Sequence, residues 1–409
     1  MRGFEKTLGR LRPRPSTQDP SPGSLHSPPS PRGRGQNNLE TFDAAIPREG
    51  RELKAWTFFR ELPKRLFQVV FRVVPYPTRP RLIRIGNPGR RSPVLVTTNY
   101  DLTVRRVRRA LDGVDCWLLV APAGGVDVWC AASGGRLTIA TVISILKTTR
   151  IGELVDHRRL ILPQLCATGI NLFELRRRTG WAGVFGPVQA EDIPEYLRTR
   201  RKPEAMMRVP FAIRERSEMA IAMWGSLTLR YTLFPCLAFG WRVAPWFALL
   251  LALICLGVSL GCFVLPGKTF VQKAGFAALP VILGLVGSLA FLGQASPFLI
   301  VKWTVLVGLA AFLAGTAFPS YSPLWACGYS KLFYGASDLK LAIVEEQCIG
   351  CKICDLVCPV ECFAAGENRK MLFVNPDICV GCGACVIQCP TDAIINQVAE
   401  DHRLQTACG

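Results

Sequence analysis

The stretch Cys348-Ile-Gly-Cys351-Lys-Ile-Cys354-Asp-Leu-Val-Cys358-Pro359 returns, after an interval, as Cys379-Val-Gly-Cys382-Gly-Ala-Cys385-Val-Ile-Gln-Cys389-Pro390. Both halves read C-x2-C-x2-C-x3-C-P, the spacing with which a pair of [4Fe–4S] clusters is held. Each cubane takes four thiolates, three from one tight loop and the fourth from the other half of the repeat. Cys348, Cys351, Cys354 and Cys389 are therefore assigned to one cluster, and Cys379, Cys382, Cys385 and Cys358 to the other. Zinc competes for any Cys-x2-Cys pair, but a doubled four-cysteine run with proline after each last cysteine favours iron–sulfur. Residues 342–409 thus read as an α+β, bacterial-type 2[4Fe-4S] ferredoxin domain, which takes up and passes on single electrons.

Working outward, the 409 residues suffice for two or three domains. A mean hydropathy of +0.26 with 50% hydrophobic residues points to a membrane-embedded part. Of the 17 cysteines, eight are assigned to clusters, which are built in reducing compartments, so a secreted disulfide scaffold is not indicated. The net charge of +19 lies largely in arginines ahead of a hydrophobic block, where cytoplasmic retention and anionic lipid account for it. No nucleic-acid-reading motif accompanies the charge, and no nucleic-acid partner is expected.

Residues 1–50 are rich in Pro, Ser, Arg and Gly, lack a secretory h-region and read as a disordered tail. Residues 51–80 form a basic amphipathic segment, whose apolar spacing from Leu53 to Val74 suits packing on the following domain more than lying on a membrane. Between 81 and 216 short apolar runs alternate with helical patterns. Val94–Thr98, Trp117–Val120, Val126–Cys130, Arg159–Leu162 and Val184–Phe185 are expected as strands, and Val104–Leu111, Ile139–Leu146 and Leu172–Thr179 as helices. That alternation predicts an α/β, Rossmann-like domain with its ligand crevice at the carboxyl ends of the strands. No G-x-G-x-x-G follows the first strand, so a dinucleotide site is not indicated.

Residues 217–320 are a transmembrane domain of about four helices: Met219–Trp241, Val243–Leu265, Phe270–Leu292 and Phe298–Phe318, each near the ~20 residues that cross a bilayer. The arginines before the first span place that side in the cytoplasm, and an even count returns the chain there. The expected location is the cell (inner) membrane, multi-pass, with both flanking domains cytoplasmic; Lys268 and Lys273 agree with this orientation. Residues 321–341 read as a linker. The first ferredoxin strand, near Ile343–Glu346, is expected to pair with Leu372–Val374. Cys236, Cys255 and Cys262 lie within spans, and Cys362 is expected under the first cluster.

The blocks Ser92-Pro-Val-Leu-Val-Thr-Thr-Asn-Tyr100, Val128-Trp-Cys-Ala-Ala132, His157-Arg-Arg-Leu-Ile-Leu-Pro-Gln-Leu165 and Gly186-Pro-Val-Gln-Ala-Glu-Asp-Ile-Pro194 resemble, in order, the corrinoid-binding domain of the mercury-methylating HgcA family. That family is related to the corrinoid iron–sulfur protein of the acetyl-CoA pathway. The ferredoxin half is similar to HgcA's partner HgcB, so the chain resembles a fusion of the two. The resemblance implies that Cys130 is the catalytic residue, ligating cobalt from below, and that Thr97, Thr103, Val128, Cys130 and Ala190 contact the corrinoid (cobalamin). Three places depart from the family pattern: Asp127 replaces its Asn, Ser133-Gly134 its Gly-Lys, and Cys166 the Gly after Leu-Pro-Gln-Leu. His157 is read as fixing a loop. HgcB-like partners end in a cysteine pair proposed to carry mercury, for which Cys408 stands alone as a metal ligand.

The implied activity is that of a corrinoid-dependent methyltransferase: the ferredoxin reduces cobalt to Co(I), which takes up a methyl group and delivers it to Hg(II). Implied partners are a methyl-donating methyltransferase or methylated folate or pterin, an external low-potential electron donor, Hg(II) and the membrane. Two other readings stay open: a methyl carrier of one-carbon metabolism with a non-mercury acceptor, and a membrane electron-transfer ferredoxin without corrinoid. A mercury-transport role for Cys255 and Cys262 ranks last, because seven residues separate them by about two helical turns.

Overall fold

All five residues of the strand Val94–Thr98 are buried, as a strand covered on both faces by helices requires. The computed structural model describes residues 63–64, 66–71, 74–128, 136–267, 269–293, 296–321, 341–379 and 381–396. In it this strand, β2, is central in a five-stranded sheet with β1 (Arg81–Ile85), β3 (Cys116–Ala121), β4 (Arg159–Leu162) and β5 (Ala182–Phe185), in the order β1-β3-β2-β4-β5. The pairs β2–β3, β2–β4 and β4–β5 are parallel, with Leu95 beside both Leu118 and Ile161. Strand β1 runs antiparallel to β3 at one edge. Helices α1 (Asp101–Ala110), α2 (Ile139–Thr149), α3 (Leu172–Thr179) and α4 (Ile193–Thr199) lie between and after the strands. Helix α2 opens with a reciprocal Thr138–Thr141 capping box, and α3 with the Asn171 side chain accepting from the Glu174 amide at 3.0 Å. One core unites Ile83, Leu95, Val104, Leu111, Leu118, Val120 and Ile161.

One expectation fails here, and one strand was not expected. Val126 and Asp127 are irregular and Val128 is helical, so Val126–Cys130 supplies no described strand. Side chains instead of a strand ladder satisfy this loop: Asn99 Oδ1 accepts from the Ala123 and Gly125 amides, both at 2.9 Å. Gly125, at φ +69°, lies so close to Pro77 that a Cβ would meet the proline nitrogen at 2.4 Å. Strand β1 was not foreseen, because Arg81 and Arg84, two of its five residues, mask a half-buried edge strand. Of the basic segment 51–80, the described part packs on this domain: Tyr100 Oη donates to the Gln68 carbonyl at 3.2 Å, and Gln68 Nε2 to Asp101 at 2.9 Å.

Five helices follow: α5 (Ile213–Tyr231), α6 (Leu233–Phe239), α7 (Ala244–Gly261), α8 (Phe270–Phe291) and α9 (Pro297–Tyr321). Among the described residues three helices, Trp241–Gly261, Phe270–Phe291 and Pro297–Phe318, are long and apolar enough to cross a membrane. The expected first span, Met219–Trp241, is not such a helix. Helix α5 starts at Ile213, carries Arg214, Glu215, Arg216, Glu218 and Arg230, and gives way to the separate α6, which ends at Gly240 with φ +82°. It shares a core with the others nonetheless, through Met223, Leu227, Phe247, Ile254, Val307 and Ala310. Outward-facing Leu249, Leu253, Phe276, Leu283 and Val305 remain exposed, as lipid-facing side chains are. Lys268 lies outside the described residues, as do the tail 1–50 and linker positions 322–340.

The last part has two small antiparallel pairs, β6 (Leu341–Ile343) with β9 (Ile394–Asn396) and β7 (Phe363–Ala365) with β8 (Met371–Phe373). The expected pairing of the first strand with Leu372–Val374 is thus incorrect. A five-residue turn, with the Gly366 amide donating to the Lys370 carbonyl, closes β7 onto β8 and leaves β6 for β9. The two cysteine runs repeat one backbone path. Gly350 and Gly381 have φ of +68° and +65°, Lys352 and Gly383 +60° and +75°, and each run enters a short helix, α10 (Ile353–Val357) or α11 (Ala384–Gln388).

Candidate functional site

A cavity of about 150 Å³ opens beside the carboxyl ends of β2 and β4 and the segment following β5, where parallel sheets bind ligands. Its wall includes Thr97 at the end of β2, Thr103 on α1, Val128 on the 122–128 loop and Ala190 after β5. The structure therefore gathers these four in one wall. Cys130 lies outside the described residues, and so does Cys408.

Leu95, Leu118, Ile161, Leu162 and Val188 make much of the wall apolar, and Arg106, Asp127, Gln189 and Glu191 add polar groups. Thr103 Oγ1 donates to Asp127 Oδ1 at 2.7 Å, and the same oxygen accepts the Val128 amide at 2.7 Å. The Asp127 carboxylate, 6% exposed, thus ties α1 to the loop that leads toward Cys130. Arg106 and Gln189 are cavity residues that sequence reasoning missed. Both reach across to α5: Arg106 pairs with Glu218 at 2.7 Å, and Gln189 Nε2 donates to Glu215 at 3.4 Å. Gln189 lies inside a quoted block, whereas nothing local distinguishes Arg106 among its neighbouring arginines. A partly apolar wall with a few fixed donors and acceptors has the chemistry to lie against a flat macrocycle edged with amides.

His157 is absent from this wall. Its Nε2 bonds the Ser92 carbonyl at 2.9 Å, and its Nδ1 accepts the Arg159 amide at 3.2 Å, so it fixes a loop. Burial pushes the Cys116 thiol up to about 12 and raises Cys166 further, leaving both as neutral core thiols. Behind the cavity floor, Lys202 donates to Gln164 Oε1 at 2.8 Å and to the Phe185 carbonyl at 3.3 Å. Burial lowers its ammonium to about 8, with the Arg208 charge adding to the effect.

The cysteine runs meet as two sets. Cys348, Cys351, Cys354 and Cys389 line one small cavity with Ile343, Met371 and Ile394. Cys385 lies within electrostatic reach of Cys382, Cys358 and Cys379, and burial raises its thiol well above the ordinary value. Each set therefore takes its fourth thiol from the other run. Cys362 hydrogen-bonds Cys358 and Cys379, so it packs beside the second set and not under the first, because β7 begins at the next residue. Among the described residues, no three His, Cys, Asp or Glu side chains close on a point as a single-ion site would.

Residues 71–197 match the family model for the CO dehydrogenase/acetyl-CoA synthase delta subunit, and residues 372–395, which include the second cysteine run, match the 4Fe-4S binding domain. Acetyl-CoA decarbonylase/synthase complex subunit gamma of Methanopyrus kandleri is 36% identical over 137 residues, 33% of this chain and 28% of that protein. The gamma subunit of Methanocaldococcus jannaschii is 36% identical over 126 residues, covering 30% of this chain and 25% of its own length. That of Archaeoglobus fulgidus is 34% identical over 132 residues, 32% and 28% of the two chains. The chain spans about a quarter of the length of these relatives. The chain thus matches the CO dehydrogenase/acetyl-CoA synthase delta-subunit family around the cavity and the 4Fe-4S binding domain near its other end, with three long apolar helices between them among the described residues.

Proposed function

We propose that this chain is a membrane-anchored corrinoid methyl carrier whose own two-cluster ferredoxin keeps it reduced, and that its methyl acceptor is Hg(II). The observation that carries the reading is the gathering of Thr97, Thr103, Val128 and Ala190 in one cavity wall, in a domain hydrogen-bonded to Ile387 and Gln388 of the second cysteine run. A bound corrinoid, with Cys130 as the residue that would hold its cobalt, would supply transfer of a methyl group together with its bonding electron pair to Hg(II). Each such delivery requires two electrons to restore the carrier. Two one-electron clusters, refilled by an external low-potential donor, supply them.

The cavity wall has separate tasks: Thr103 and Asp127 hold the loop before Cys130, while the apolar wall excludes water. Methyl supply falls to a methyltransferase or a methylated folate or pterin. Four crossings are proposed, with α5 and α6 as the first. The bonds between residues 167–171 and 387–388 support an even number of crossings, since three would separate the bonded halves. A second reading, a one-carbon carrier with a thiol or metal-centre acceptor, draws support from the gamma-subunit relatives of acetyl-CoA decarbonylase/synthase complexes.

The test is methylmercury formation from Hg(II) by anaerobic membranes of corrinoid-supplied cells. Wild type is expected to form methylmercury, and Cys130→Ala to lose at least a hundredfold of it. A wild-type protein that binds cobalt yet forms none would transfer support to the second reading.

A further inference from the structure

The ferredoxin half does not hang free beside the cavity domain. Gln388, the last residue of α11 and fully buried, donates through Nε2 to the carbonyls of Ala167 (2.8 Å) and Ile170 (2.6 Å). Its Oε1 accepts the Leu172 amide at 3.3 Å. Asn171 Nδ2 donates to the Ile387 carbonyl at 2.6 Å. One side chain thus uses both ends of its amide across a joint whose residues are more than 200 apart in sequence.

Around this latch, Ala167 is buried against Val357 and Ala384, with Ile353, Phe185 and Cys382 completing the contact. Both cluster helices, α10 and α11, sit on the single turn Gln164–Thr168. That turn follows directly on Leu162 and Pro163, which are wall residues of the cavity. A second tie lies beside it: Arg208 donates to the Cys358 carbonyl at 2.8 Å and to the Asp355 carboxylate at 2.7 Å, and the Val209 amide donates to the Pro359 carbonyl at 3.0 Å. Cys382 itself lies in this contact and the Cys358 carbonyl takes the Arg208 bond, whereas the other set joins in only through Ile353, Asp355 and Gln388, the chain neighbours of Cys354 and Cys389. In that other set Cys351 is exposed.

We propose that the turn Gln164–Thr168 is a permanent docking seat for the ferredoxin half, latched by Gln388, and that the set Cys358, Cys379, Cys382 and Cys385 is the electron exit toward the cavity. The other set is then the intake from the external low-potential donor. One electron passes per step: the exit cluster is oxidised by one electron and the cavity's cobalt reduced by one, with no bond made or broken. Because the seat and the cavity wall are consecutive residues, transfer is intramolecular and independent of protein concentration. Gln388 is a positioning residue, and Arg208 puts a positive charge against the Cys358 carbonyl. The exit assignment rests on the corrinoid reading; the seat does not.

The experiment uses the full chain in detergent, iron-loaded and corrinoid-supplied, as wild type, Gln388→Ala and Arg208→Gln. Hydrogen exchange is read first, at the Leu172 amide that donates to Gln388. Exchange at least tenfold faster in Gln388→Ala, with iron content unchanged, supports the latch, and unchanged exchange overturns it. Arg208→Gln is then expected to move the midpoint potential of one cluster to more negative values by more than that of the other, which marks that cluster as the Cys358 set. The Co(II) electron paramagnetic resonance signal should broaden when the marked cluster is reduced, and the broadening should be lost in Gln388→Ala. Broadening by the unmarked cluster, or its persistence in Gln388→Ala, overturns the exit assignment. Wild-type protein without cobalt overturns the corrinoid reading and the exit together, while the exchange result still decides the seat.

Discussion

Replacing Thr103 with Val keeps the shape of the side chain and removes one hydrogen-bond donor from the cavity wall. In the folded chain that hydroxyl donates at 2.7 Å to Asp127, a carboxylate that is 6% exposed and retains the Val128 amide, also at 2.7 Å. A hydrogen bond to a charged group contributes about 1.5–3 kcal/mol. The surviving amide bond puts this loss near the lower end, at about 1.5–2 kcal/mol. Since about 1.4 kcal/mol is a factor of ten in an equilibrium constant, corrinoid binding should weaken about 10- to 30-fold if the loop before Cys130 must be held for binding. The assay is titration of corrinoid-free protein followed by its visible spectrum. Thr103→Ser should restore affinity because it restores the donor. Asp127→Asn should stay within a few-fold of wild type, because its amide oxygen can accept both bonds. Thr103→Val binding within twofold of wild type would refute the role given to this bond.

Further outcomes follow from other parts of the molecule. Leu118→Ala in the middle of β3, where the side chain is fully buried, should cost about 2–5 kcal/mol, read as a fall in melting temperature. Gly315→Ala should also lower the melting temperature in detergent, because its Cβ would lie 2.6 Å from the Val271 backbone of α8, whereas Gly284→Ala, with open space around it, should not. Lys202 gives a pH dependence. Its folded value of about 8 lies below the unfolded 10.5, so the unfolded chain binds the extra proton between those values. Stability should therefore rise with pH across that window, by at most about 3 kcal/mol, and Lys202→Met should flatten the rise. A flat wild-type profile from pH 7.5 to 10.5 would contradict the burial of this ammonium.

Much of the sheet was legible because its strands are short apolar runs bounded by turn residues. The expected limits of Val94–Thr98 and Arg159–Leu162 coincide with β2 and β4, and Leu172–Thr179 with α3. What failed has local reasons. Val126–Val128 has the β-branched composition of a strand, yet two left-handed glycines and the Asn99 side chain hold the preceding loop out of the sheet. Met219–Trp241 is apolar enough on a sliding scale to suggest a span, but the helix that contains it starts earlier, in charged residues, and breaks at Thr232. Cavity positions carried over from the resemblance do share a wall. Gln388 and Arg208 could not be read from sequence, because their partners are 147 to 221 residues away and neither residue type is distinctive in its own segment.

The most direct measurement of the central claim is metal content with the visible spectrum, on protein purified without oxygen from corrinoid-supplied cells, wild type beside Cys130→Ala. The account predicts about eight iron atoms and about one cobalt per chain, with a base-off spectrum that changes when Cys130 is lost. Iron without cobalt would contradict it and leave a membrane ferredoxin whose electron acceptor lies on another protein.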